Sequence, residues 1–337
     1  MFYEPAFALA AAPEFGADTR AVLVRTAAGR LVGLFPGHPG RLKVAGWVHH
    51  YGPLGTPLVD RDEPEAVIGA WLDHLCHDPA IPPLLLLPLI PEHGAFAASL
   101  DAVVARGGHR NVAFGRHERA LLTPGMQRPN YLERSMSAAK RKSLRRQRRR
   151  LQDIAPVIFE TATTATGATD ALSEFLALEA SGWKGRAGTA IAGQPAIKAF
   201  VQNAVIGLAA EGKARIDRLV LNGAAIAATL TLSSGDTAWC WKIAYNEELA
   251  RSSPGVQLIC DLTESLLAAP EPLRVDSCAT AGHPMIDHIW RERMTMSDRL
   301  IELRPSAAQF ALACGIESAR RAAFAAAKSL RGRIRGR

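Results

Sequence analysis

Arg251-Ser252-Ser253-Pro254-Gly255-Val256 decides how this chain is read. The hexapeptide stands between a strand-like run, Thr237 to Tyr245, and an amphipathic run, Val256 to Leu267. Serine at the N-cap, proline at the first helical position and glycine next mark a sharp helix start. A strand that feeds an exposed helix N-terminus offers free backbone N–H groups and the positive end of a dipole to an anion, commonly a phosphate. Taken alone the stretch is an ordinary helix cap. Its surroundings shift that reading.

Strand alternation puts Trp239, Trp241, Ile243 and Tyr245 on one face of the preceding strand, and Cys240, Lys242 and Ala244 on the other. The aromatic face belongs in a core or along a pocket. Lys242 lies mid-strand, where a lone ammonium is costly, so it needs an acid, a helix C-terminus or an anionic ligand. Upstream, Glu179-Ala180-Ser181-Gly182-Trp183-Lys184-Gly185 closes a helix. Gly182 is either a plain cap with Trp183 packed under the next loop, or the Trp183–Lys184 pair stands at a site mouth with Lys184 offered to an anion.

Downstream, Asp276 closes a strand, and His283, Asp287, His288 and Arg291 crowd a short helix beginning at Pro284. His283 and Asp287 have the spacing to share a helical face, as do His288 and Arg291. Acid/base chemistry suits a histidine beside an aspartate; a polar network that anchors a loop is the competing reading. The two histidines lack a third ligand, so no metal site is expected. There is no G-x-S-x-G elbow, no Walker A loop and no G-x-G-x-x-G after a strand. Transfer from a bound, anionic, activated donor is the chemistry that remains.

Outward from this region the pattern is α/β throughout. Ala21 to Arg25 and Leu31 to Phe35 flank a hairpin signal, and Gly46 to His50 reads as a further strand. Residues 64–76 and 93–106 read as helices around a buried strand, Leu84 to Leu87; Val112 to Phe114 and Ala120 to Leu122 read as two more strands. After a basic helix over 137–153 the outline repeats. Val157 to Glu160 is a strand, Ala168 to Ser181 and Pro195 to Ala210 are helices, and Ala214 to Leu221 and Ala225 to Leu232 are strands joined by Asn222-Gly223. Leu273 to Ser277 and Arg299 to Leu303 are the last strands. The boundaries expected are an N-terminal half over 1–135, the basic connecting helix over 136–153, a C-terminal domain over 154–305 and a basic tail over 306–337.

The formal net charge of +8 is unevenly placed. Nine Lys/Arg and no acid lie between Arg134 and Arg150, and seven with no acid lie between Arg320 and Arg337. The basicity therefore belongs to two segments, each suited to an anionic surface. Interleaved aromatics for base stacking are missing from 137–153, which argues against nucleic acid. Five scattered cysteines without a C-x-x-C pair fit reduced thiols in the cytoplasm. The N-terminus carries no secretory pattern, and Ile81 to Ile90, broken by prolines, is too short to span a bilayer.

In order and spacing these pieces resemble the CelD/BcsL-type branch of the GNAT acetyltransferase superfamily, distantly related to the FemABX transferases. The motifs that carry the resemblance are Ser137-Ala138-Ala139-Lys140-Arg141-Lys142, Gly182-Trp183-Lys184-Gly185 with Gly188-Thr189-Ala190, and Trp241-Lys242-Ile243-Ala244-Tyr245. Ser253-Pro254-Gly255, Val275-Asp276-Ser277, His283-Pro284 and Trp290-Arg291-Glu292-Arg293 complete it; the match covers about 135–305. The resemblance implies a tandem GNAT-like α/β fold, with mixed sheets flanked by helices. It also implies an N-acyltransferase that moves an acetyl or longer acyl group from acyl-CoA to a small-molecule, sugar or lipid amine in envelope polysaccharide or lipid biosynthesis. Arg251, Ser252, Ser253, Gly255 and Val256 would hold the CoA pyrophosphate. His283 or Asp276 would be the base and Tyr245 the acid for the leaving thiolate. Trp183, Lys184, Trp241, Lys242, Asp287, His288 and Arg291 would line the substrate site. The chain departs from the family by lacking the second glycine of the Q/R-x-x-G-x-G/A turn and by carrying Asn246 where an acid is usual. The alternatives are an aminoacyl-tRNA-dependent transferase and a non-catalytic accessory protein of exopolysaccharide synthesis. The enzyme is expected in the cytoplasm, with 137–153 and 320–337 available to hold it on the inner face of an anionic membrane.

Overall fold

The computed structural model describes residues 1–124 and 130–335. In chain order the first elements are α1 (Pro5–Phe15), β1 (Arg20–Arg25), β2 (Leu31–Pro39), β3 (Val44–Gly46), β4 (Leu58–Val59) and α2 (Pro64–His77). Then come β5 (Leu84–Pro91), α3 (Ala95–Arg106), β6 (Asn111–Leu122), α4 (Tyr131–Ser135), α5 (Ala138–Gln152) and β7 (Val157–Ala162). α6 (Ala165–Ser181), α7 (Trp183–Arg186), α8 (Pro195–Ala210), β8 (Ala214–Leu221), β9 (Ala224–Ser234) and β10 (Thr237–Tyr245) follow. The chain closes with α9 (Pro254–Ala268), β11 (Arg274–Asp276), β12 (Glu292–Glu302) and α10 (Ala307–Arg335).

These elements form two compact units that are not consecutive halves of the chain. One gathers Tyr3–Ala17 with Arg119–Arg293; the other gathers Asp18–Glu118 with Met294–Arg337. Each is an α/β unit, a mixed sheet flanked by helices.

In the first unit the sheet runs β11-β10-β9-β8-β7, and the end of β6 pairs with β11 through Leu122 opposite Val275. β8 and β9 are joined by Asn222 and Gly223, both at positive φ (51° and 74°), the turn that suits the twist of a tight hairpin. β10 and β11 are parallel, and their ladder covers only Thr237–Arg274, Ala238–Val275 and Trp239–Asp276. Beyond Trp239, β10 continues to Tyr245 while the other chain turns away. Two neighbouring strands therefore part, and α9 connects them.

α1 was not signalled by the sequence pattern, because an alanine-rich run interrupted by Pro13 carries little helical periodicity. Tertiary packing makes it: Phe7 is fully buried, edge-on to Phe200 of α8 at 5.3 Å and to Trp241 at 5.4 Å. Burying a side chain of that size contributes about 2–3 kcal/mol.

In the second unit the order is β1-β2-β3-β5-β12, with β4 beside β2. β3 and β5 are again parallel and again connected through a helix, α2. Phe35 stacks on Trp71 at 4.1 Å between ring centroids, in a core that includes Ile68, Leu72, Leu85 and Ile301. The two strands expected at Val112 to Phe114 and Ala120 to Leu122 are one strand, β6, since the polar stretch between them stays extended. The strand expected from Gly46 to His50 lies earlier, as β3, and Arg299 to Leu303 is the end of a longer strand, β12.

Candidate active site at the parted strands

Where β10 leaves β11 a cavity of about 590 Å³ opens, within the first unit. Its wall is β10 from Cys240 to Tyr245, its floor the start of α9, and its far side the segment Ser277 to Ile286. Trp183 and Lys184 stand at its edge. Most of the residues singled out in the sequence meet here: Trp183, Lys184, Trp241, Lys242, Tyr245, Ser253, Gly255, Val256 and His283.

The start of α9 is at the expected residues, but it is built differently from the expected serine cap. Ser253 occupies the N-cap with φ 49° and ψ 51°, and its side chain makes no capping bond. The left-handed backbone, uncommon for a residue with a Cβ, turns the chain sharply into Pro254. Gln257 replaces the hydroxyl as the fastener: its Nε2 donates to the Ser252 carbonyl at 2.6 Å. The N–H groups of Gly255 and Val256 fall at the second and third helical positions, which have no intrahelical acceptor. With no acid in its first turn, α9 presents an unopposed positive end to the cavity. The corresponding start in the second unit is the reverse. Asp60, Asp62, Glu63 and Glu65 crowd the beginning of α2, so its dipole is already neutralised. Of the two helix starts, the α9 start alone suits a polyanion.

β10 does not alternate as expected. Cys240 faces Thr231 and Lys242 faces Leu230, so Trp241 is an extra residue, a β-bulge. The bulge puts Trp241 toward Phe7 and Phe200, while Cys240 and Ile243 both join the apolar cluster under α9. It also re-aims Lys242 into the cavity wall, with Nζ 5.6 Å from the Trp241 ring centroid. Burial, reinforced by the neighbouring Lys184, lowers the Lys242 pKa from the ordinary lysine value to about 8.

The turn carrying Trp183 and Lys184 is held by two carboxylates. Glu179, buried at the end of α6, accepts from Lys184 Nζ at 2.5 Å and from the Ile191 N–H at 2.8 Å. Glu247, just past β10, accepts from the Trp183 N–H at 2.8 Å and from Arg186 at 2.5 Å. A Cβ on Gly185 would overlap the Ala180 carbonyl, so the close turn requires glycine there. Trp183 is 56% exposed, so it is not tucked under the following loop. Asn246 caps the 3-10 turn Glu247–Ser252 by accepting from the Glu248 N–H at 2.9 Å.

Other expected residues stand elsewhere. Asp276 is 1% exposed and lies behind the cavity; it accepts from Arg119 Nη1 and from the Cys278 N–H, each at 2.8 Å. It fixes the point where β11 turns away. His283 lines the cavity, yet its Nδ1 accepts from the N–H groups of Met285 and Ile286 at 3.3 and 3.4 Å. That bond requires the tautomer with hydrogen on Nε2, so neutral His283 is a donor toward other partners. Burial lowers its pKa, against the pull of Asp287. The short helix expected from Pro284 is a single 3-10 turn, Ile286–His288. His288 and Arg291 are exposed, and with Asp287 they lie off the cavity lining, as do Arg251 and Ser252. Cys278 lines the cavity, but burial and Asp276 hold its thiol well above the ordinary range, so it is no thiolate nucleophile.

Sequence reasoning missed Glu179, Glu247 and Arg119 as anchors. An acid just before Gly-Trp-Lys-Gly was a usable signal for the first. Arg119 meets Asp276 across a sequence separation that no local pattern spans. Among the described residues no cluster of His, Cys, Asp and Glu could hold a metal ion.

α5 begins at Ser137, whose side chain accepts from the Lys140 N–H at 3.2 Å. Leu144 and Leu151 are its buried residues, as the narrow apolar stripe predicts. Arg148 reaches Asp261 of α9 at 3.0 Å, while Lys142, Arg145, Arg146 and Arg149 are exposed on the outer face of α5.

With this geometry in place, the chain can be set beside known proteins. Residues 138–277 match the family model described as an acetyltransferase (GNAT) domain. That stretch contains α5, the Trp183–Lys184 turn, β10, α9 and β11. No curated protein matches the chain. Among solved structures, the C-terminal domain of a lysylphosphatidylglycerol synthetase from Agrobacterium fabrum has 14% identity and a TM-score of 0.53, over 88% of this chain and 86% of that one. L-PGS from Bacillus licheniformis has 13% identity and a TM-score of 0.53, over 87% of each chain. FemX has 10% identity and a TM-score of 0.53, over 84% of this chain and 87% of that one. At such identities the likeness is one of fold.

Proposed function

We propose that the chain is an acyl-CoA-dependent N-acyltransferase whose acceptor is an amine of envelope polysaccharide or lipid biosynthesis. The parted β10–β11 pair carries this reading: it opens a cavity onto an acid-free helix start that suits a pyrophosphate. The Gly255 and Val256 N–H groups and the Ser253 turn would hold the pyrophosphate. The thioester would lie along β10, where backbone N–H groups past Trp239 are available to an oxyanion. The acceptor amine loses a proton and attacks the thioester carbonyl; the tetrahedral intermediate collapses, and CoA thiolate leaves, protonated by Tyr245.

Of the groups facing the cavity, Lys242 is best suited to take the amine's proton, because burial brings its pKa near the working range. Asp276, tied to Arg119, and His283, with Nδ1 engaged, are better suited to positioning. Lys184 stays paired with Glu179 and meets anionic parts of the donor or acceptor.

A second reading, transfer from aminoacyl-tRNA, is favoured by one observation: the exposed cationic face of α5. The same surface equally suits an anionic leaflet, the partner we favour, since it lacks stacking aromatics. Calorimetric titration of the protein with acetyl-CoA, a long-chain acyl-CoA, free CoA and tRNA separates these. The proposal expects binding of the CoA compounds, lost when Gly255 is replaced by a bulky residue. Binding of tRNA alone supports the second reading. No binding of any of them leaves a non-catalytic accessory role.

A further inference from the structure

The second unit contains a cavity of its own, about 270 Å³, between its sheet and α2. The lining is graded. Of its lining residues Arg20 and Ala80 are exposed and Asp78 is half-buried, while Gly46, Gly55 and Leu87 are buried. Much of the lining is apolar: Val22, Phe35, Val44, Trp71, Leu75 and Leu85. A mostly apolar cavity with a few polar residues on its lining is the usual build of a small-ligand site.

The charged and titratable lining residues are Arg20, His74 and Asp78, and Arg20 is the cation open to a ligand. Among the described residues the Arg20 side chain has no hydrogen-bond or ion-pair partner. Asp78 is engaged by its own turn, Oδ1 accepting from the Ala80 N–H at 2.9 Å. Arg304 lies beneath the same turn, donating to the carbonyls of Leu75, Cys76 and Asp78 at 3.1–3.2 Å.

We propose that this cavity binds a linear acyl chain with a single anionic head, the chain running inward past Trp71 and the head meeting Arg20. A dry cavity of about 150 Å³ holds benzene, so this volume suits a chain of roughly six to ten carbons. The proposal is independent of the donor site in the first unit.

The test is calorimetric titration of the full chain near neutral pH with hexanoate, octanoate, decanoate and hexadecanoate. Saturable one-to-one binding is expected, tightest at eight to ten carbons and about tenfold weaker at sixteen. Val44→Phe, which fills the cavity, should abolish it. Arg20→Ala, at an exposed position that the fold does not need, should weaken octanoate about fivefold and leave octanol unchanged. Saturating free CoA should not compete. Affinity that climbs steadily to sixteen carbons, displacement by CoA, indifference to both variants, or no binding at millimolar ligand would each overturn the assignment.

Discussion

Gly255 lies against the ring of Tyr245: a Cβ added at position 255 would stand 3.2 Å from Tyr245 Cδ1. Position 255 has no positive φ, so glycine is favoured there by close approach and not by conformation. The two residues join the proposed pyrophosphate turn to the proposed proton donor, and both line one cavity.

Gly255→Ala should therefore separate fold from function. Alanine favours the helix, so overall stability should change by no more than about 1 kcal/mol. The Tyr245 ring must give way by a few tenths of an ångström, and CoA affinity should fall about tenfold. Thermal melting paired with CoA titration reads both. Unchanged CoA affinity would remove α9 from the donor site.

Lys242 sets a pH dependence whose sign can be worked out. Its folded pKa, about 8, lies below the ordinary lysine value, so the folded state favours the neutral amine. Below pH 8 the buried ammonium opposes folding; as pH rises from 8 toward the unfolded value, that penalty disappears and stability increases. The same deprotonation should give kcat/KM a rising limb near pH 8, which Lys242→Met abolishes along with most of the activity. Lys242→Met should also raise Tm near pH 7. A rising limb preserved in the variant would assign the titration to the acceptor amine instead.

Glu179 gives a prediction about position. Glu179→Ala strands Lys184 and leaves the Ile191 N–H unsatisfied in a buried setting. A cost of about 3 kcal/mol is expected, with a raised KM because the Trp183–Lys184 turn loses its anchor. Glu179→Gln keeps an acceptor for Ile191 and should recover about half of the stability. Equal losses in both variants would show that the ion pair, and not the backbone bond, holds the turn.

How much of this was legible in the sequence depends on the range of each interaction. The Asn222-Gly223 hairpin, the cationic helix with Leu144 and Leu151 inward, and the α9 start are local patterns, and each lies where its residues placed it. Alternation failed on β10, because a single inserted residue reverses every later side chain and nothing in Cys240-Trp241-Lys242 announces a bulge. His283 was read from its neighbour Asp287, while its role is decided by two backbone N–H groups that become near only once the 3-10 turn forms. Asp276 was read as a strand-end acid facing a site. Its partner, Arg119, comes from a strand far earlier in the chain, and only the sheet topology reveals the pair.

That pair supports the sharpest stability test. The side chains of Arg119 and Asp276 are 4% and 1% exposed, at 2.8 Å. Removing one partner from such a site leaves a buried charge uncompensated, so Asp276→Ala should cost about 3–5 kcal/mol in urea unfolding. Replacing both, as Arg119→Met with Asp276→Leu, should restore much of that loss, because the desolvation penalty of two ions vanishes with them. A catalytic base predicts otherwise: Asp276→Asn would then keep its stability while losing turnover. If Asp276 instead anchors the divergence of β11, Asn keeps one acceptor for the Cys278 N–H, and activity and stability should decline together. Measuring unfolding and turnover on the same three variants distinguishes a proton acceptor from the joint that holds the strands apart.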